Sequence, residues 1–170
     1  VEDEEEPTRA PVGDIADDRH ALEPGDRSLL IVENDTTFTR LLVDVAREAG
    51  FKVLVASFGS TALALVRQYQ PSAITLDISL PDMEGWRVLE RLKGDFETRH
   101  VPVTVITTGE DLRRGRTLGA FAALGKPVKT RDVLRETLDD LMSIVMRPHG
   151  EVVVVHPEER ERVALTRLLA

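Results

Sequence analysis

Five short runs of β-branched and aliphatic residues recur along the chain, and they constrain the fold more than any other feature. They are Leu29-Leu30-Ile31-Val32, Val53-Leu54-Val55, Ala73-Ile74-Thr75-Leu76, Val103-Thr104-Val105-Ile106 and Phe121-Ala122-Ala123-Leu124. Runs that are apolar at successive positions, rather than alternating with polar residues, suit parallel strands covered on both faces. Between the first two, Phe38, Leu41, Leu42, Val45 and Ala49 mark one face of a helix that starts near Thr36 and stops at Gly50. Leu134, Leu138, Leu141, Met142 and Val145 mark a last helix after Thr130. Shorter, more polar helices are expected near 59–69, 84–93 and 110–118. Five strand–helix units in succession imply an α/β fold: a doubly wound, five-stranded parallel sheet with helices on both faces.

The chain has 170 residues, enough for one such domain with additional sequence attached. It contains no Cys, so disulfides and thiolate chemistry are excluded. No stretch approaches the length of apolar sequence that a membrane span requires, so no membrane contact by this segment and a cytoplasmic location are expected. The N-terminus has neither an initiator Met nor an apolar signal region, which suggests a segment of a longer parent, with membrane attachment of that parent left open. Residues 1–27 hold ten acids and three arginines and are expected to form an acidic, disordered linker. The remainder is close to neutral and lacks the basic stripe of a nucleic-acid binder; no DNA partner is expected.

In a sheet of this kind, ligands bind beyond the carboxyl ends of the strands where the strand order reverses. The first strand ends in Glu33-Asn34-Asp35, the third in Asp77, the fourth in Thr107-Thr108 and the fifth in Lys126-Pro127. Carboxylates, hydroxyls and one ammonium thus converge on one rim. Clustered carboxylates call for a cation, and oxygen donors favour Mg²⁺. A lysine facing them can balance charge and grip a phosphate. Taken singly these residues are ordinary: a strand-end Asp is usually a turn or cap residue, and a Thr pair usually reflects β propensity.

Together, LLIVEND, ITLDISLPDMEGW, VPVTVITT and LGAFAALGKPV resemble the successive signatures of bacterial response-regulator receiver domains, over residues 28–146. The resemblance implies a flavodoxin-like sheet of order 2-1-3-4-5. It implies that Asp77 accepts a phosphoryl group from a histidine kinase or phosphotransfer domain. Mg²⁺ would be held by Glu33, Asn34, Asp77 and the backbone carbonyl of Ser79. Thr107 and Lys126 would contact the phosphoryl oxygens, and the Lys126–Pro127 bond would be cis. The stretch DDRHALEPGDRSLLIVEND further resembles the approach to receivers inside hybrid sensor histidine kinases, with several receivers in series and the kinase in the same polypeptide.

The pattern departs from that family at several points. Asn34 stands where an acidic metal ligand is usual, so weak Mg²⁺ binding is expected; Asp35 offers a neighbouring carboxylate of unknown direction. Ala123 replaces the usual aromatic switch residue, and Phe121, two residues earlier, is expected in the core. The spacing from Thr107 to Lys126 is short, implying a trimmed fourth helix. Residues 151–170 read as strand Val152–Val155 and an apolar-sided helix with Val163, Leu165, Leu168 and Leu169. Shifted by 123 residues they overlay Leu29–Arg47, as the first strand and helix of a second, degenerate receiver-like unit. His156-Pro157-Glu158 there replaces the acidic cluster. Three functions compete: a phosphoacceptor module; a phosphorylation-independent pseudo-receiver binding a protein or nucleotide; and an aspartate-nucleophile phosphatase. The last would need a second acid where Ser79 stands. Whether the module counts as an enzyme is left open, as is homo-oligomerisation.

Overall fold

The computed structural model describes residues 15–108, 112–147 and 154–169. Five strands, β1 (Ser28–Val32), β2 (Lys52–Ala56), β3 (Ala73–Asp77), β4 (Val103–Thr107) and β5 (Ala122–Gly125), form one sheet in the order β2-β1-β3-β4-β5. Every neighbouring pair is parallel. The connecting helices are α1 (Thr36–Glu48), α2 (Gly59–Tyr69), α3 (Gly85–Gly94) and α4 (Leu112–Thr117), and α5 (Arg131–Val145) follows the last strand. This is the expected flavodoxin-like order. β1 and β3, flanked by strands on both sides, are buried at every position, which is why their sequences read as unbroken apolar runs.

The pleat divides the core into two layers. Leu30, Val32, Leu54, Ile74, Leu76 and Val105 face α2 and α3, where Leu65, Val66, Trp86, Val88 and Leu89 meet them. Leu29, Ile31, Val53, Val55 and Ile106 face α1 and α5, meeting Leu42, Val45, Leu134, Leu138 and Leu141. Removing one of these buried leucines leaves a cavity that typically costs about 2–5 kcal/mol. α1 begins where Asp35 accepts the backbone N–H groups of Thr37 and Phe38 at 2.8 and 3.0 Å, and it ends at Gly50, whose φ of +92° a side chain would resist.

α4 is described over Leu112–Thr117, in keeping with the trimmed fourth helix, and residues 110 and 111 of the expected 110–118 span lie outside the described residues. Two local expectations need correction. Phe121 is 41% exposed rather than in the core, because β5 is an edge strand that starts one residue later, at Ala122. At the C-terminus the helix exists, as α6 (Glu159–Leu169), but Val154 and Val155 form no strand, and Val155 is 88% exposed. Val152 and Val153 of that expected strand lie outside the described residues. A strand needs a ladder partner for its N–H and C=O groups, and neither Val154 nor Val155 pairs with the sheet.

Residues 15–27 also differ from the expected disordered linker; residues 1–14 lie outside the described residues. The segment runs across the outer edge of β2. Asp18 donates its N–H to the carbonyl of Val53 (2.7 Å), and its carboxylate accepts the Val53 N–H (2.8 Å). Asp17 accepts the Val55 N–H (3.2 Å) while holding Arg19 in a 2.7 Å ion pair. Ile15 packs against the α1/α5 layer and Leu22 against the α2/α3 layer, so the strap grips both faces of the sheet. Acidic side chains here occupy the free N–H groups of an edge strand, which would otherwise invite another chain to pair.

Burial opposes ionisation of Asp18, but the hydrogen bonds from Arg47 and Val53 and the nearby charges outweigh it and hold its carboxyl below the ordinary range. The depressed value means that this anchor stabilises the strap above the unfolded-state pKa and is lost as pH falls through the folded-state value. Asp18→Ala is therefore expected to destabilise the domain by about 1–2 kcal/mol at neutral pH. It should also speed hydrogen exchange at the Val53 amide; unchanged protection there would show that the strap is not anchored by Asp18.

Candidate functional site

The carboxyl ends of β1, β3, β4 and β5 meet at one rim, where the chain leaves β1 toward one side of the sheet and β3 toward the other. Asp77 is the last residue of β3 and Glu33 follows β1; they are 3% and 1% exposed. Lys126, just past β5, reaches both. Its Nζ lies 2.6 Å from Glu33 Oε2 and 3.0 Å from Asp77 Oδ2. The ring of Phe38, on the first turn of α1, covers the ammonium at 4.8 Å. The Lys126–Pro127 peptide is cis, as the resemblance implies.

Two buried carboxylates therefore share one ammonium. Burial is the strongest influence on Glu33 and pushes its carboxyl above the ordinary value; Asp77's charge adds to the rise, and the bonds from Lys126 and the Asp35 N–H only partly offset it. Lys126 is affected oppositely. Burial disfavours its charge, but hydrogen bonds to Glu33 and Asp77 more than compensate and raise its pKa. The two directions agree physically: the ammonium has two anionic partners, whereas Glu33 shares that one cation with a like-charged neighbour. The rim thus carries an excess of negative charge in a poorly solvated place.

Local bonding sets the remaining groups. Glu33 Oε1 accepts the N–H of Asp35 at 2.9 Å, closing the turn that launches α1. Asp77 Oδ1 accepts the N–H of Ser79 at 3.2 Å. Ser79 pairs with Glu84 in an isolated antiparallel bridge, so the loop between β3 and α3 is pinched at its base. Gly85 closes that loop. A Cβ there would overlap the backbone carbonyl of Asp77 and come within 2.7 Å of the Cα of Ile78, so only glycine allows the approach. Thr107 ends β4 opposite Gly125, its carbonyl accepting the Lys126 N–H at 2.7 Å, and the residue is buried.

Of the residues singled out from sequence, Glu33, Asp77 and Lys126 are in direct contact, Ser79 is joined through its backbone, and Thr107 is adjacent through the β4–β5 ladder. Asn34 lies exposed on the turn after β1. Asp35 turns its carboxylate to the α1 N-terminus, where Oδ1 accepts the Thr37 and Phe38 N–H groups. Phe38 reads in the sequence only as a helix-face residue, and neither Gly85 nor the capping role of Asp35 is marked there as part of the site. Asp35 stands immediately before a helix-periodic run, which is itself an N-cap signal.

The donor set can be tested against a divalent cation. Glu33, Asp77, the Asn34 amide and the Ser79 carbonyl are all oxygen donors, and the uncompensated buried charge favours a hard cation such as Mg²⁺. Among the described residues no three His, Cys, Asp or Glu side chains gather as a metal cluster. The residues present fit the ion chemically, with less charge than three carboxylates would supply. Beside the rim, a cleft of about 700 Å³ is lined by Phe38, Leu41, Lys126, Pro127, Lys129 and Arg131, among others.

Known proteins resemble this chain in sequence and fold. The polar-differentiation response regulator DivK of Brucella ovis is 34% identical over 105 residues, covering 60% of this chain and 85% of that protein. A putative response regulator from Chloroflexus aurantiacus matches with TM-score 0.63 and 28% identity, over 69% of this chain and 98% of its own. A sensor protein from Polaromonas matches with TM-score 0.61 and 26% identity, over 72% of this chain and 99% of its own. The family model described as the response regulator receiver domain matches residues 29–139, which is most of the chain. With the rim of Asp77, Glu33 and Lys126 built on this sheet, the chain belongs to the response regulator receiver domain family of two-component signalling.

Proposed function

We propose that this chain is a phosphoacceptor module that takes a phosphoryl group from a phosphohistidine onto Asp77. The observation that carries this reading is the buried Asp77 carboxylate at the end of a central strand, tied to an ammonium that it shares with Glu33. Phosphoryl transfer needs positioning and charge neutralisation more than covalent machinery. One oxygen of Asp77 attacks phosphorus, the bond to the donor nitrogen breaks, and the imidazole leaves. Lys126, already within reach of Asp77, moves its contact to a phosphoryl oxygen, and the Thr107 hydroxyl donates to another. Bound Mg²⁺ would supply neutralisation between Asp77, Glu33, the Asn34 amide and the Ser79 carbonyl.

The added charge then biases β4 and β5 toward a second arrangement. Ala123 carries no ring, so the change is passed on by the backbone around Thr107 and Lys126, whose mutual bond links the two strands. The donor is a histidine kinase or phosphotransfer domain, and the cleft formed by Phe38, Leu41 and Pro127 is a suitable place for its helix. A receiver within a hybrid kinase in the same polypeptide is proposed from the stretch DDRHALEPGDR that precedes β1. No helix among the described residues is long and apolar enough to cross a membrane, and the proposed setting is cytoplasmic.

Residues 151–170 are proposed as the start of a degenerate second unit. α6 begins at Glu159, 123 residues after the Thr36 start of α1. At the same shift the Glu158 N–H bonds to His156 Nδ1 (3.1 Å) as the Asp35 N–H bonds to Glu33 (2.9 Å). The Arg162 N–H bonds to the Glu158 carbonyl as the Thr39 N–H bonds to Asp35.

Incubation with acetyl phosphate and Mg²⁺ is expected to add one phosphoryl group to the intact mass of the wild type and none to Asp77→Asn. A wild type that stays unmodified at millimolar Mg²⁺ would overturn the phosphoacceptor reading in favour of a phosphorylation-independent binding module. Separately, Asn34→Asp restores a negative ligand and should tighten Mg²⁺ about tenfold, equivalent to ~1.4 kcal/mol. The quenching of Trp86, the single tryptophan, can report the titration. Equal affinity in the two proteins would remove Asn34 from the metal site.

A further inference from the structure

The loop between Asp77 and Gly85 carries two of the groups on which the proposed function rests, and most of it faces solvent. Its far end is tied to a helix that has no other part in the site. α2 starts after Phe58, which has the extended backbone of an N-cap but no side chain able to cap. The first two N–H groups of the helix are instead taken by Asp82, from 23 and 22 residues further along. Gly59 N–H donates to Oδ1 at 2.8 Å and Ser60 N–H to Oδ2 at 2.9 Å. Met83 seats beside this contact, filling the space that a Cβ on Gly59 would take.

We propose that Asp82 is the positioning residue of the phosphorylation loop, a cap supplied from a distant part of the same chain that fixes the Asp77–Gly85 loop to the N-terminus of α2. Helix N-termini leave their first N–H groups unsatisfied and favour a carboxylate there, so both partners gain from the contact. Partial burial opposes ionisation of Asp82, but the Ser60 and Gly59 N–H groups outweigh it and hold the carboxyl below its ordinary range. The other ties are close to Asp77: the Ser79–Glu84 bridge, the Gly85 N–H to the Ile78 carbonyl at 2.8 Å, and the Ser79 N–H to Asp77 Oδ1. Asp82 is the tie at the tip. Without it the pinch at the base and the packing of Leu80 and Met83 on the core must hold the Ser79 carbonyl and the Asp77 carboxylate in register. Asp82 bonds the N-terminus of α2 and acts on the site through Ser79 and Asp77.

A residue that merely capped α2 would be replaceable by any other cap, and this separates the two roles. In the full chain, Asp82→Ala is expected to slow phosphoryl uptake from acetyl phosphate by about tenfold. Asp82→Asn, which keeps an acceptor oxygen, should retain most of the rate. Adding Phe58→Ser to Asp82→Ala gives α2 a cap of its own. That double variant should regain thermal stability relative to Asp82→Ala while remaining slow; recovery of the rate along with stability would reduce Asp82 to a helix cap and overturn the proposal. The rate arm rests on the phosphoacceptor reading, so a second arm avoids it. Hydrogen exchange at the Ser79 and Gly85 amides, measured without phosphate, should quicken in both alanine-bearing variants. Unchanged protection at these two amides overturns the tether even if uptake slows. A wild type that takes no phosphate, with exchange still quickened by Asp82→Ala, upholds the tether and rejects only the acceptor reading.

Discussion

Two carboxylates held out of water with one ammonium between them set the terms for the rest of this structure. Isolated buried charges are costly, and an ion pair offsets that cost only when its geometry is good and other hydrogen bonds complete it. Here the completion is visible: Glu33 also accepts the Asp35 N–H, and Asp77 also accepts the Ser79 N–H. Even so, an odd negative charge is left over. The site is therefore poised toward whatever brings positive charge or exchanges a carboxylate contact for a phosphoryl one. The framework around it is correspondingly rigid, with β1 and β3 buried throughout and Gly85 packed against the Asp77 carbonyl.

The backbone geometry of the rim reserves some side chains for structure and frees others for chemistry. Asp35 lies beside Asn34 in sequence but serves the start of α1, while Asn34 lies free of that duty on the exposed turn. The charge at the rim is thus set by Glu33 and Asp77.

The sheet was legible because its central strands are covered on both faces, and such strands write themselves as β-branched runs with no alternation. Asp77 and Lys126 were legible because strand ends of a doubly wound sheet fall on one rim whatever the loops do. Other features hid for identifiable reasons. Asp17 and Asp18 sit in a strongly acidic segment and read as solvated charge; their partners are the N–H groups of β2, which no side-chain pattern records. Phe121 shares the parity of Ala123, yet it lies just before an edge strand and is left partly in water. The expected strand at Val152–Val155 had the right composition, but Val154 and Val155 have no place in the ladder. Composition states what a segment could join, and not whether a vacant edge is offered to it.

The turn that follows β1 has a counterpart near the C-terminus, where the Glu158 N–H bonds to Nδ1 of His156. An imidazole there does the work that the Glu33 carboxylate does before α1, although Glu158 and Glu161 stand where Asp35 and Phe38 would be and, among the described residues, no lysine is paired with the ring. A side-chain acceptor two residues before the turn's N–H is therefore a means of bending chain into helix, separable from any handling of phosphate or metal. Glu33 holds both offices with different oxygens, Oε1 for the turn and Oε2 for Lys126. Its replacement by Gln would leave the architecture standing while halving the anionic charge at the rim, so evolution can silence such a site without having to rebuild it.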